Sequence, residues 1–145
     1  MSSISQTNHW VFFALASAFF AALTAIFGKL GVTDINSNLA TLIRTVVILV
    51  MVFGIVAFRN EWQPLNKMSP FGISMLILSA IATGLSWLCY YRALQLGTAS
   101  RVAPLDKLSI VFVIVLSVVF LGESLTWKVM LGSLLVISGA VLLAI

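Results

Sequence analysis

Residues 93–108 read ALQLGTASRVAPLDKL, and they run directly into SIVFVIVLSVVFL at residues 109–121. The first string is a junction of small and polar residues; the second is apolar enough for the interior of a bilayer. Asp106 and Lys107 stand side by side at its mouth. An ionised Asp, Lys or Arg at the centre of a membrane span costs about 2.5–3.5 kcal/mol on insertion scales. A charge pair at the entrance of such a segment is therefore expected to have a role, and the flanking chain is read as its scaffold.

Composition decides the class of scaffold. Hydrophobic residues make up 61% of the 145 and charged residues 8%, where a soluble domain carries about 25% charged residues. Too few polar side chains remain to coat a soluble surface, so the lipid bilayer is the solvent for most of the chain. The net charge of +4 would point to nucleic acid in a soluble protein. Here the eight Lys and Arg residues are scattered singly, so no nucleic-acid partner is expected. They are read as topology signals plus a few working charges. Cys89 is alone inside an apolar run and is read as a small packing residue. His9 is the single histidine, and no Ser–His–acid set, phosphate loop or metal-ligand spacing is present. The expectation is a protein that is not an enzyme and carries neither cofactor nor metal.

Crossing about 30 Å of hydrocarbon takes roughly 20 apolar residues in a helix. Five segments meet that requirement: 10–30, 39–58, 70–94, 102–121 and 125–145. Asn8 and His9 precede the first, and Trp10 suits an interfacial anchor. The string Ala14–Ala18 has the look of a signal-cleavage site, but the apolar run continues through it to Phe27, so the segment is read as an uncleaved anchor. Asn36, Ser37 and Asn38 are cap or turn material for the second segment, and Pro70 fits the first turn of the third. The connections between segments are short, which forces successive helices antiparallel. The runs are continuous rather than alternating, which excludes a β-barrel. The expected fold is an all-α membrane protein, a single domain over 1–145 with five transmembrane helices.

Five crossings place the termini on opposite sides. Arg59, Glu61, Lys67, Glu123 and Lys128 share the N-terminal side. Lys29, Asp34, Arg44, Arg92, Arg101, Asp106 and Lys107 share the other. Lys and Arg divide three against five, or three against three once Arg44 and Lys107 are set aside as embedded residues. That is a weak positive-inside signal. Asp106 and Lys107 are adjacent, so on a continuous helix they point about 100° apart and do not face each other. Separate partners are expected, with Lys29, Arg44 and Arg92 the cations available to Asp106. Snorkelling accounts for Lys29 and Arg101 and serves the short Asp106 poorly.

Pro104, just ahead of the pair, removes a backbone donor and can open a turn there. In the third segment Trp87 and Tyr91 are four residues apart and share a face, either as the wall of a substrate cavity or as part of an interfacial belt. Glu123 is read as a cap for the fifth helix. Small residues recur at helical spacing in Ala14/Ala18/Ala22, Ser79/Thr83, Ala80/Gly84 and Gly132/Gly139, a pattern that marks helix contacts within or between chains. The substrate and coupling candidates are thus Asp106, Lys107, Arg44, Lys29, Arg92, Trp87 and Tyr91. Pro104, Glu123, Gly132 and Gly139 are the structural candidates.

Three strings carry a family resemblance: YYRALQLGTASRVAPL at residues 90–105, FLGESLTW at 120–127 and LGSLLVISGAVL at 131–142. Together they resemble the EamA domain of the drug/metabolite transporter superfamily, and the Leu121-Gly122-Glu123 turn with the following Gly132…Gly139 helix is the most specific part. The resemblance implies a secondary transporter of small organic metabolites or drugs in the cell inner membrane. Larger members carry two repeats of opposite orientation, and this chain resembles one. It departs from many of them in having Asp-Lys-Leu-Ser at 106–109, so their substrate residues do not transfer directly. Transport sites of inverted-repeat folds lie between repeats, so one repeat implies a homodimer, and the near-even Lys/Arg division permits an antiparallel one. The alternative is a non-transporting membrane subunit that uses its charges to assemble with another membrane protein.

Overall fold

The computed structural model describes residues 9–145; Asn8, expected to precede the first helix, lies outside them. Within that range the chain is helical, with α1 at His9–Gly31, α2 at Ser37–Phe58, a short 3-10 turn at Leu65–Lys67, α3 at Pro70–Leu96, α4 at Ala99–Asp106, α5 at Ser109–Leu121 and α6 at Trp127–Ala144. Five stretches are long and apolar enough to cross a bilayer: α1, α2, α3, the pair α4–α5 spanning Ala99–Leu121, and α6. The all-helical, five-span architecture read from hydrophobic runs is thus the one observed.

The caps explain several boundaries. Asn36 is the N-cap of α2, its side chain accepting from the Asn38 backbone N–H at 2.9 Å, which satisfies one of the helix's orphan donors. At the end of α5, Gly122 takes a left-handed φ of +67°, and the Gly122 and Glu123 N–H groups both donate to the Ser117 carbonyl. A residue with a Cβ is strained in that conformation. The cap of α6 corrects an expectation: Thr126 occupies it, its hydroxyl accepting from the Val129 N–H at 3.4 Å. Glu123 sits three residues too early to be that cap.

The fourth span is not the single helix that its apolar run implies. Pro104 lies inside α4 and has no N–H to give the Ser100 carbonyl. The backbone then tightens: Lys107, Leu108, Ile110 and Val111 donate to Pro104, Leu105, Lys107 and Leu108 respectively, each to the residue three back. This 3-10 pattern divides the span into α4 and α5 at Lys107–Leu108.

The chain comprises two compact units. One, Gly31–Leu96, is the α2–α3 hairpin. Its loop side is tied by Gln95, whose side-chain amide donates to the Val32 carbonyl at 3.3 Å and the Ile35 carbonyl at 3.0 Å. Trp62 folds back edge-on against Phe53 at 5.4 Å, and Arg59 pairs with Glu61 at 2.7 Å. Val32, Ser37, Thr41, Tyr91 and Leu94 are its buried residues. The other unit joins α1 to α4, α5 and α6. In it α4 and α5 pack on α6, and Lys29 Nζ donates to the Gly97 carbonyl at 2.8 Å, securing the end of α1 to the start of α4.

Hydroxyls within the spans satisfy themselves on their own helix. Thr41, Thr45, Thr83, Ser133 and Ser138 each donate to the carbonyl four residues back. No water is available in hydrocarbon to do so. The small-residue ladders leave open space among the described residues. Ala14, Ala18, Ala22, Ser79, Ala80 and Thr83 are exposed. A Cβ added at Gly84, Gly132 or Gly139 would meet nothing within 4 Å among the described residues.

Candidate functional site

The α2–α3 hairpin brings three of the expected residues together. Arg44, in the first half of α2, lays its guanidinium carbon 3.7 Å from the ring centroid of Trp87 and 5.5 Å from that of Tyr91, both in the second half of α3. Its Nη1 donates to the Tyr91 hydroxyl at 3.4 Å. Trp87 and Tyr91 are one turn apart on α3 and therefore face α2 together. Tyr91 is buried at 5% exposure, while Arg44 and Trp87 are half-buried. Tyr90 meets Tyr91 edge-on at 6.3 Å. Helix geometry, at about 1.5 Å per residue, puts Arg44 about 10 Å along α2 from its N-terminus. There its guanidinium lies on aromatic faces, with no carboxylate at ion-pair distance among the described residues. A cation over an aromatic ring is stabilised by about 0.5–2 kcal/mol, most where solvent is excluded.

Two expectations about charge pairing are corrected here. Asp106 does not wait for Arg44 or Arg92. Its ion pair is with its own neighbour, Lys107 Nζ lying 3.6 Å from Oδ2. The two side chains can meet because α4 stops between them: Lys107 is the C-cap, not an interior residue, and the 100° divergence of a continuous helix does not apply. Arg44 takes the aromatic pair described above. Arg92 bonds Gln95 Oε1 at 3.0 Å and lies outside the Arg44 cluster. Lys29 serves the Gly97 carbonyl. The expected set thus resolves into an Arg44–Trp87–Tyr91 cluster and a Gln95–Arg92 strap in one unit, with an Asp106–Lys107 pair and a Lys29 tie in the other.

Gln95 is the residue that sequence reasoning missed. It reads as loop material after the third apolar run, yet it lies within α3 and bonds both Arg92 and the α1–α2 connection. An amide in the last turn of a membrane helix was the available signal. The aromatic partnership of Arg44 had none, because residues 44 and 87 are related only through the hairpin.

Five helical stretches long and apolar enough to cross a bilayer define a multi-pass membrane protein. The chain belongs to the EamA-like transporter family, whose model matches residues 8–145. It is similar to an uncharacterized transporter encoded in the cobO 3' region of a Sinorhizobium species, 55% identical over 140 residues that cover 97% of this chain and 99% of that protein. It is also similar to the uncharacterized transporter YvbV of Bacillus subtilis, 30% identical over 132 residues, 88% of this chain but 42% of that protein. A Methanocaldococcus jannaschii protein, the uncharacterized MJ1333.1, matches 48% of this chain at 41% identity, across 50% of its own length. No solved structure matches the chain.

Proposed function

We propose that the protein is a secondary transporter of small organic solutes that works by alternating access as a homodimer in the inner membrane. The observation that carries the transport reading is Arg44: a cation kept within the length of α2 on two aromatic rings, with no carboxylate at ion-pair distance among the described residues. A charge maintained at that cost without a counter-ion is typical of solute pathways. The Asp106–Lys107 pair at the α4–α5 break is the coupling candidate, since a discontinuous helix gives a charged group local freedom to change partners.

Two observations support the dimer. The chain covers 42% of the longer Bacillus subtilis relative and nearly all of the Sinorhizobium one, in keeping with one repeat here and two in the longer protein. Asp106 and Lys107 also remain 40% and 55% exposed in the single chain, although they lie inside a 23-residue apolar span. Lipid covers a charge pair poorly; a second copy inverted in the membrane would cover it and complete the inter-repeat cavity.

Reconstitution of the purified protein in vesicles with a panel of metabolites and cationic drugs tests the reading. Solute flux that Asp106→Asn abolishes is the expected result. No flux, together with co-purification of a second membrane protein, would favour the alternative of a non-transporting subunit.

A further inference from the structure

Building on the transport reading, we infer that Arg44 is the recognition point for an oxyanion, a carboxylate or phosphate group carried on a solute with an apolar body. A guanidinium has five N–H donors arranged as a fork that fits two oxygens at once. In the structure one of them reaches Tyr91 Oη, and at 3.4 Å that bond is longer than a well-formed one. The Trp87 contact at 3.7 Å attracts the cation through the ring quadrupole and supplies no oxygen acceptor. Nothing in the hairpin completes the fork. Its two acidic residues are Asp34, in the loop before α2, and Glu61, which is paired with Arg59 at 2.7 Å. Arg92, which is exposed, is engaged by Gln95.

The remaining donors of Arg44 therefore offer a charge-assisted, two-pronged site inside an apolar segment, where such bonds are strongest. A cationic solute is repelled there, and a neutral one leaves the charge uncompensated. An anion both fills the fork and neutralises the cation. The aromatic faces hold the guanidinium in place and yield it to a stronger acceptor. The helix that carries Arg44 is otherwise largely apolar, which suits a solute whose body is apolar.

Trp87 reports on this site directly. Of the four tryptophans, Trp10, Trp62 and Trp127 are replaced by Phe, and the protein is placed in phosphatidylcholine vesicles. Benzoate and phenyl phosphate are expected to change Trp87 emission saturably, while benzamide and benzylamine leave it unchanged. Arg44→Gln should weaken the response by about tenfold or more, the scale of a lost charged hydrogen bond. Arg44→Lys, which keeps the charge and loses the fork, should fall between.

If phosphatidylglycerol alone shifts the emission in an Arg44-dependent way and competes with benzoate, the oxyanion comes from a lipid headgroup and the site stands. Equal responses to benzoate and benzamide, no response to any probe, or a response that Arg44→Gln leaves intact overturns the inference. Because the comparison of anion with amide is made in the parent protein, it holds even where the Arg44 variants do not fold. Flux separates this inference from the transport reading. Anion binding without counterflow of labelled phenyl phosphate would sink transport and keep the site. Counterflow of labelled phenyl phosphate that Arg44→Gln leaves unchanged would keep transport and sink the site.

Discussion

At the scale of the residue, what distinguishes this chain is how it treats each charge that enters an apolar span. Arg44 is held by ring faces, Asp106 by its neighbour, Lys29 by a backbone carbonyl and Arg92 by an amide. The Asp106–Lys107 contact is an ion pair, and its 3.6 Å separation is loose. Truncation of Trp87 to Ala should therefore be felt mainly through Arg44. The expected loss is about 1–2 kcal/mol, measurable as a shift in unfolding midpoint in detergent. Trp87→Phe, which keeps a weaker ring, should lose less. Equal midpoints for the two variants would show that the stack contributes nothing. The sequence offered these residues singly: Trp87 and Tyr91 as a shared face, Arg44 as an embedded cation. It could not join them, because nothing local relates positions that are neighbours only across a hairpin.

At the scale of the element, Pro104 and Gly122 bracket the fourth span by opposite means. Pro104 withholds a donor and breaks the helix; Gly122 permits the left-handed turn that ends it. Pro104→Ala would allow ordinary helical hydrogen bonds through the junction and is expected to raise stability, by up to about 3 kcal/mol. The Lys107 and Leu108 amides should then exchange more slowly with solvent deuterium. Flux should fall if the break is a working part, and unchanged exchange at those amides would show that the proline does not cause it. Gly122→Ala should destabilise by about 1–2 kcal/mol, because the φ of +67° remains required. A neutral result in thermal unfolding would mean that the turn adapts. The five spans were legible from their apolar runs, but the division of the fourth was only hinted at by Pro104, since an apolar string does not reveal where its backbone hydrogen bonds switch register.

At the scale of the whole molecule, the ladders of small residues leave room for a neighbour: among the described residues, a Cβ added at Gly84, Gly132 or Gly139 meets nothing within 4 Å. The open space at Gly132 and Gly139 makes a clean test of the proposed homodimer. Gly139→Leu should leave helicity and monomer folding intact while shifting the protein from dimer to monomer in detergent, as read by light scattering. A dimer that survives Leu at both glycines does not use that face. C-terminal reporters active on only one side of the membrane address orientation. Both should give signal if the dimer is antiparallel, and a strictly one-sided signal would rule that arrangement out.

The sequence by itself determined the solvent, the helical character of the spans and the number of spans, because continuous apolar runs in a bilayer satisfy their backbone as helices. It also determined the family, through the strings at 90–105, 120–127 and 131–142. Only the tertiary structure decided which charges meet. Lys107 turned toward Asp106 once the helix ended between them, and Arg44 found Trp87 once α2 and α3 folded together. Periodicity along one helix fixes the face on which a residue lies; the neighbour it finds there depends on packing between helices that are distant in sequence.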